Sequence, residues 1–159
     1  MIAAPGSTLR WLAPENLHVT LCFLGSVDGS RVNAIAERLA DIGGARLRIT
    51  LDGFDVFANA GAVIVRAKRS APLLTLAEQV TVAMENCGFP REKRPYQPHV
   101  TLARQKGRGP LRLSPSGFSQ SFSAREFRLY ESHTRPEGAQ YEVVQAFPLR
   151  QASGQPYST

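Results

Sequence analysis

The tetrapeptide His-Val-Thr-Leu occurs twice, at 18–21 and at 99–102, and this repetition limits the possible folds more than any other feature of the chain. Two of the chain's three histidines carry the same three residues behind them. Both copies sit in short β-type runs, where side chains alternate between faces. Each histidine and the threonine two residues on then point the same way, roughly 6–7 Å apart along the strand. Such a segment written twice reads as two similar halves, each offering one imidazole and one hydroxyl. Facing each other, the two pairs suit a phosphate and acid–base chemistry.

The flanking pattern supplies the frame. In 17–24, His18, Thr20, Cys22 and Leu24 share one face of an expected strand, and Val19, Leu21 and Phe23 share the other. The apolar face must be covered, which commits His18 and Thr20 to the opposite side. Asp28 or Ser30 can cap a helix carrying Val32, Ile35, Ala36, Leu39 and Ala40, stopped by Gly43 and Gly44. Residues 45–51 alternate as a half-buried strand, followed by Phe54, Val56 and Phe57, a turn at 59–61 and a return strand over 62–67. Ser70 and Pro72 open a second helix with Leu73, Leu76, Ala77, Val80, Met84 and Cys87 on one face and Gly88 at its end. The second motif strand spans 99–104, and 119–131 with 139–149 form a hairpin around 134–138. Each half thus has a motif strand, helices and a hairpin. The expectation is an α+β fold with two lobes: duplicated antiparallel sheets, helices on the outer faces and a central groove holding the site. One domain covers 1–159, with 151–159 as a frayed polar tail.

The 159 residues contain no apolar run long enough to span a bilayer. Met1-Ile2-Ala3-Ala4-Pro5 lacks the basic start and apolar core of a secretion signal, and two cysteines make no disulfide framework. These features point to the cytoplasm. The net charge of +6 favours polyanionic partners. Arg91, Lys93, Arg94 and Tyr96 precede the second motif and Lys106 and Arg108 follow it, so basic residues such as Arg94 are expected to guide a polyanion, with Tyr96 or a phenylalanine such as Phe54 offering a stacking face. No metal or other cofactor is expected, because catalytic zinc takes three protein ligands and none of Asp, Glu or Cys lies at ligand spacing beside His99. Cys22 reads as a small buried hydrophobe, and His133 as a solvated turn residue.

Trp11, Pro14-Glu15-Asn16-Leu17-His18-Val19-Thr20-Leu21 and Phe23-Leu24-Gly25 resemble the first motif of the 2H phosphoesterase superfamily, and within it that of the RNA 2′,3′-cyclic phosphodiesterases, also called 2′-5′ RNA ligases. Pro98-His99-Val100-Thr101-Leu102-Ala103-Arg104 resembles the second motif, and Leu129-Tyr130-Glu131-Ser132 with Tyr141 the closing hairpin. The resemblance implies a metal-independent hydrolase that opens 2′,3′-cyclic phosphate ends to 2′-phosphates, with ligation as the reverse. It makes His18 and His99 acid and base, Thr20 and Thr101 hydroxyl donors to the phosphate, and Arg104 a phosphate ligand. Strict alternation from Thr101, however, puts Arg104 on the other face. Two other readings stand beside this one: action on another small cyclic or bridged nucleotide phosphate, and a non-catalytic RNA-end binding module. Family members open with a further strand and helix ahead of the tryptophan segment, for which the ten residues before Trp11 leave no room. A monomer is expected, with a sheet edge left open for pairing with another chain.

Overall fold

A computed structural model describes residues 8–107, 111, 117–135 and 138–150. The elements are β1 (Thr8–Trp11), α1 (Val32–Ala40), β2 (Leu47–Phe57), β3 (Ala62–Ala67), α2 (Ala71–Asn86), β4 (His99–Lys106), β5 (Ser119–Ala124), β6 (Glu126–Arg135) and β7 (Gly138–Pro148). They form a five-stranded antiparallel sheet in the order β1-β4-β3-β2-β5 and a two-stranded ribbon, β6-β7. The α+β class is as expected.

Both helices begin and end where local chemistry directs. Asp28 Oδ1 accepts the Ser30 N–H at 2.8 Å, which sets up the short turn leading into α1. Pro72 lies in the first turn of α2, and Gly88 follows its end with φ +83°, a conformation open to glycine without strain. Ile35, Ala36 and Leu39 of α1 are buried, and so are Leu73, Leu76, Ala77, Val80 and Met84 of α2. Ala40, expected on the buried face, is exposed. The helices pack into one core with Leu47, Ile49 and Ala67 of the sheet and with Phe127, Phe147 and Leu149 at the base of the ribbon. Each such large apolar side chain contributes about 1.5–3 kcal/mol by leaving water.

Three features of the pairing depart from the expected pattern. Residues 17–24 form no strand. Only Val19 is bridged, to Val100, and the chain bends at Leu21. Beyond that bridge no ladder holds the pleat, so Leu21, Cys22 and Leu24 all turn to the core while Phe23 is 84% exposed. The hairpin partners are also exchanged between halves. The second motif joins the β2-β3 hairpin as β4, whereas the first motif's histidine meets the β6-β7 ribbon. Finally, the run 119–131 is two strands. β5 pairs with β2 in the sheet, the chain switches at Arg125, whose carbonyl accepts the Leu149 N–H at 2.7 Å, and β6 pairs with β7. β1 has no counterpart in the expected pattern, since 1–12 has no clear period. It takes the sheet edge beside β4.

Candidate active site

The register of β3 and β4 sorts the side chains of the second motif. His99 lies opposite Arg66, Val100 opposite Val65 and Thr101 opposite Ile64; Ala103 then lies opposite Val63 and Arg104 opposite Ala62. Leu102 is therefore an extra residue, a β-bulge. Without it, alternation would send Arg104 to the side of Val100. With it, Val100 and Ala103 share the packed side, 7% and 0% exposed, while His99, Thr101 and Arg104 share the other. The bulge resolves the conflict between strict alternation and the family resemblance.

The first motif reaches the same place through the antiparallel Val19–Val100 bridge. That bridge relates the two tetrapeptides by a local twofold, setting His18 opposite Thr101 and Thr20 opposite His99. Opposed residues have Cα atoms about 5 Å apart, and the diagonal His18–His99 pair roughly 7–8 Å apart. Two imidazoles and two hydroxyls thus lie on the side away from Val19 and Val100.

Each ring is held the same way. His18 Nδ1–H donates to the Asn16 carbonyl at 2.8 Å, and His99 Nδ1–H donates to the Gln97 carbonyl at 2.6 Å. A carbonyl oxygen only accepts, so Nδ1 carries the proton in the neutral ring. Nε2 is then left to exchange protons with a bound molecule. The aromatic neighbours differ. The His18 ring meets Tyr141 edge-on with centroids 4.7 Å apart and Tyr130 at 5.9 Å, whereas His99 meets Phe57 edge-on at 4.7 Å. Sequence reasoning assigns no role to Phe57, Tyr130 or Tyr141. The period of their strands is visible in the sequence, but which strand faces which motif is not.

The other expected ligand-binding residues are not brought together. Phe54 pairs with Val65, on the side turned away from the imidazoles, and its ring lies tilted against Phe118 with centroids 5.0 Å apart. The cause is a second bulge, between Leu51 and Phe54, where Gly53 adopts φ +78°. Tyr96 is half-buried, its hydroxyl is enclosed without a partner and burial pushes its pKa up to about 12; this is not an open stacking face. Arg94 pairs with Glu92 at 2.8 Å, holding that carboxyl down at about 2. Arg91 donates to Glu78 and Glu85 of α2 at 2.7–3.0 Å, so much of the connector's positive charge is matched locally. Arg108 lies outside the described residues. His133 sits on β6, not in a turn, with Nε2 3.8 Å from both Glu131 and Glu142. Cys22 is half-buried; burial, and secondarily Glu85, raises its pKa, which disfavours the thiolate. Among the described residues no cluster of three His, Cys, Asp or Glu could hold a metal, and no helix is long and apolar enough to cross a membrane.

Fold and paired motifs together define a class, the 2H phosphoesterases: α+β proteins in which two copies of one histidine motif meet across a local twofold. Within that class the chain belongs to the 2′-5′ RNA ligase superfamily, whose family model matches residues 8–133. It is 31% identical over 150 residues to the RNA 2′,3′-cyclic phosphodiesterase of Archaeoglobus fulgidus, covering 89% of this chain and 84% of that protein. It is 34% identical over 152 residues to the protein of the same name from Thermus thermophilus, covering 89% and 76%. Escherichia coli LigT, solved in complex with 3′-AMP, superposes with a TM-score of 0.77 at 28% identity, over 89% of this chain and 82% of LigT. A solved structure from Thermus thermophilus also gives 0.77, at 31% identity, over 91% and 84%.

Proposed function

We propose that this chain hydrolyses RNA 2′,3′-cyclic phosphate ends to 2′-phosphates without a metal, His18 and His99 acting as acid and base. The observation that carries this reading is the matched pair of Nδ1–carbonyl bonds, which leave the Nε2 of each ring for proton exchange. One neutral imidazole removes a proton from water as its oxygen attacks phosphorus. The other, protonated, gives its proton to O3′ as the P–O3′ bond breaks, leaving a 2′-phosphate and a free 3′-hydroxyl. The resemblance assigns the base to His99 and the acid to His18. Thr20 and Thr101 donate hydrogen bonds to the non-bridging oxygens as charge builds there, and Arg104 adds a charge-assisted fork. With a 5′-hydroxyl in place of water, the same groups perform 2′-5′ ligation.

RNA ends and cyclic nucleotides are the partners this reading requires, handled by a monomer in the cytoplasm, where Cys22 and Cys87 remain free thiols. Phe57, beside His99, takes the stacking place that sequence reasoning assigns to Phe54. The test is incubation of the protein with a 2′,3′-cyclic mononucleotide and excess EDTA. The expected product is the 2′-monophosphate, formed at an unchanged rate. Conversion to the 3′-monophosphate, loss of turnover with EDTA, or binding without turnover would each overturn the proposal.

A further inference from the structure

Arg66 lies directly opposite His99 in the β3–β4 register, on the side that carries Thr101 and Arg104. Its guanidinium turns toward β2, where Nη1 is 3.3 Å from Asp55 Oδ2. Asp55 is itself anchored, its Oδ1 accepting the Val56 N–H at 2.8 Å, so the carboxylate acts as a fixed post that aims the arginine. Neighbouring strands are about 4.8 Å apart, which sets the guanidinium up to about 10 Å to the side of the histidine strand. The pair is open to water, with side-chain exposures of 61% and 45%, and an ion pair that exposed is easily exchanged for a stronger partner. A phosphodiester is such a partner, because it can take both arms of the fork.

We propose that Arg66, aimed by Asp55, forms a second anion subsite that binds the phosphodiester next to the reacting RNA end. This rests on the RNA-end reading above and sharpens it: the protein would prefer an oligonucleotide end to a lone cyclic nucleotide. The residue binds substrate and takes no part in bond breaking.

The experiment measures equilibrium binding of 2′-AMP and of a dinucleotide ending in a 2′-phosphate, across salt concentrations, for the unmodified protein, Arg66→Gln and Arg66→Lys. The unmodified protein should bind the dinucleotide about tenfold more tightly than 2′-AMP, and Arg66→Gln should remove most of that advantage. Affinity for 2′-AMP should stay within about twofold, which also shows that the variant is folded. Arg66→Lys should fall between, and the salt slope for the dinucleotide should shrink by about 0.7 in Arg66→Gln. An equal loss for both ligands, or an unchanged dinucleotide affinity, would overturn the subsite. Turnover of the cyclic mononucleotide is measured in parallel. Its absence would sink the hydrolase reading alone, because the binding comparison needs no reaction.

Discussion

Replacing His99 with alanine tests the two-imidazole chemistry most directly. The ring is fixed at one nitrogen by the Gln97 carbonyl and by its edge-on contact with Phe57, so its removal deletes a preset proton acceptor with little backbone adjustment. One positioned proton transfer contributes 10²–10⁴-fold, which is about 3–5 kcal/mol of transition-state stabilisation. His18, held by the equivalent bond to Asn16, should cost the same range. In the proposed reaction the two act in one concerted displacement, so His18→Ala/His99→Ala should lose about as much as the worse single variant, not the product of the two. The assay is kcat/KM for a 2′,3′-cyclic mononucleotide as a function of pH. The unmodified protein should give a bell, and each single variant should lose one limb of it. Thermal melts control for folding, where loss of a half-buried ring should cost on the order of 1 kcal/mol. A single variant retaining more than about a tenth of the rate, or a double variant whose losses multiply, would refute the reasoning.

Three further outcomes follow from the packing and the charges. Ile64 is 0% exposed beside Thr101, so Ile64→Ala should cost about 2–5 kcal/mol, read as a lowered denaturation midpoint in urea. Arg91 holds the Glu78 and Glu85 carboxyls below their ordinary range. Its contribution is therefore present above the ordinary carboxylate pKa and is lost as the pH falls through the lowered values. Arg91→Ala should melt lower than the unmodified protein at pH 7 and no lower near pH 2. Because burial raises the Cys22 pKa, its alkylation by iodoacetamide at pH 7.5 should be slower than that of a free thiol, and Cys22→Ser should keep kcat/KM within about twofold.

The helices, the β2-β3 hairpin and both histidine motifs are legible in the sequence because each is marked locally. α1 has the Asp28-capped turn that leads into it, α2 its proline and terminal glycine, and the motifs have their repeated tetrapeptide. The misreadings have different causes. The place of Phe54 depends on its register with a neighbouring strand, whereas Arg91 and Arg94 pair with nearby carboxylates through turn geometry that the composition does not reveal. His133 reads as a turn residue because Pro136 and Gly138 follow it, but the β6 ladder runs past it to Arg135.

Read alone, the 159 residues supply the candidate chemical groups: two imidazoles, two hydroxyls and an arginine in repeated β-type segments, within an α+β frame. Such information is carried by residue type and short spacing, which any local window preserves. The tertiary structure decided which side of the sheet each group occupies. A bulge at Leu102 returns Arg104 to the side of His99 and Thr101, another beside Gly53 turns Phe54 away, and one bridge between Val19 and Val100 joins the motifs. Each is a matter of register between strands far apart in the chain. In a strand a slip of one residue reverses every side chain, so these positions became definite only once the pairing was known.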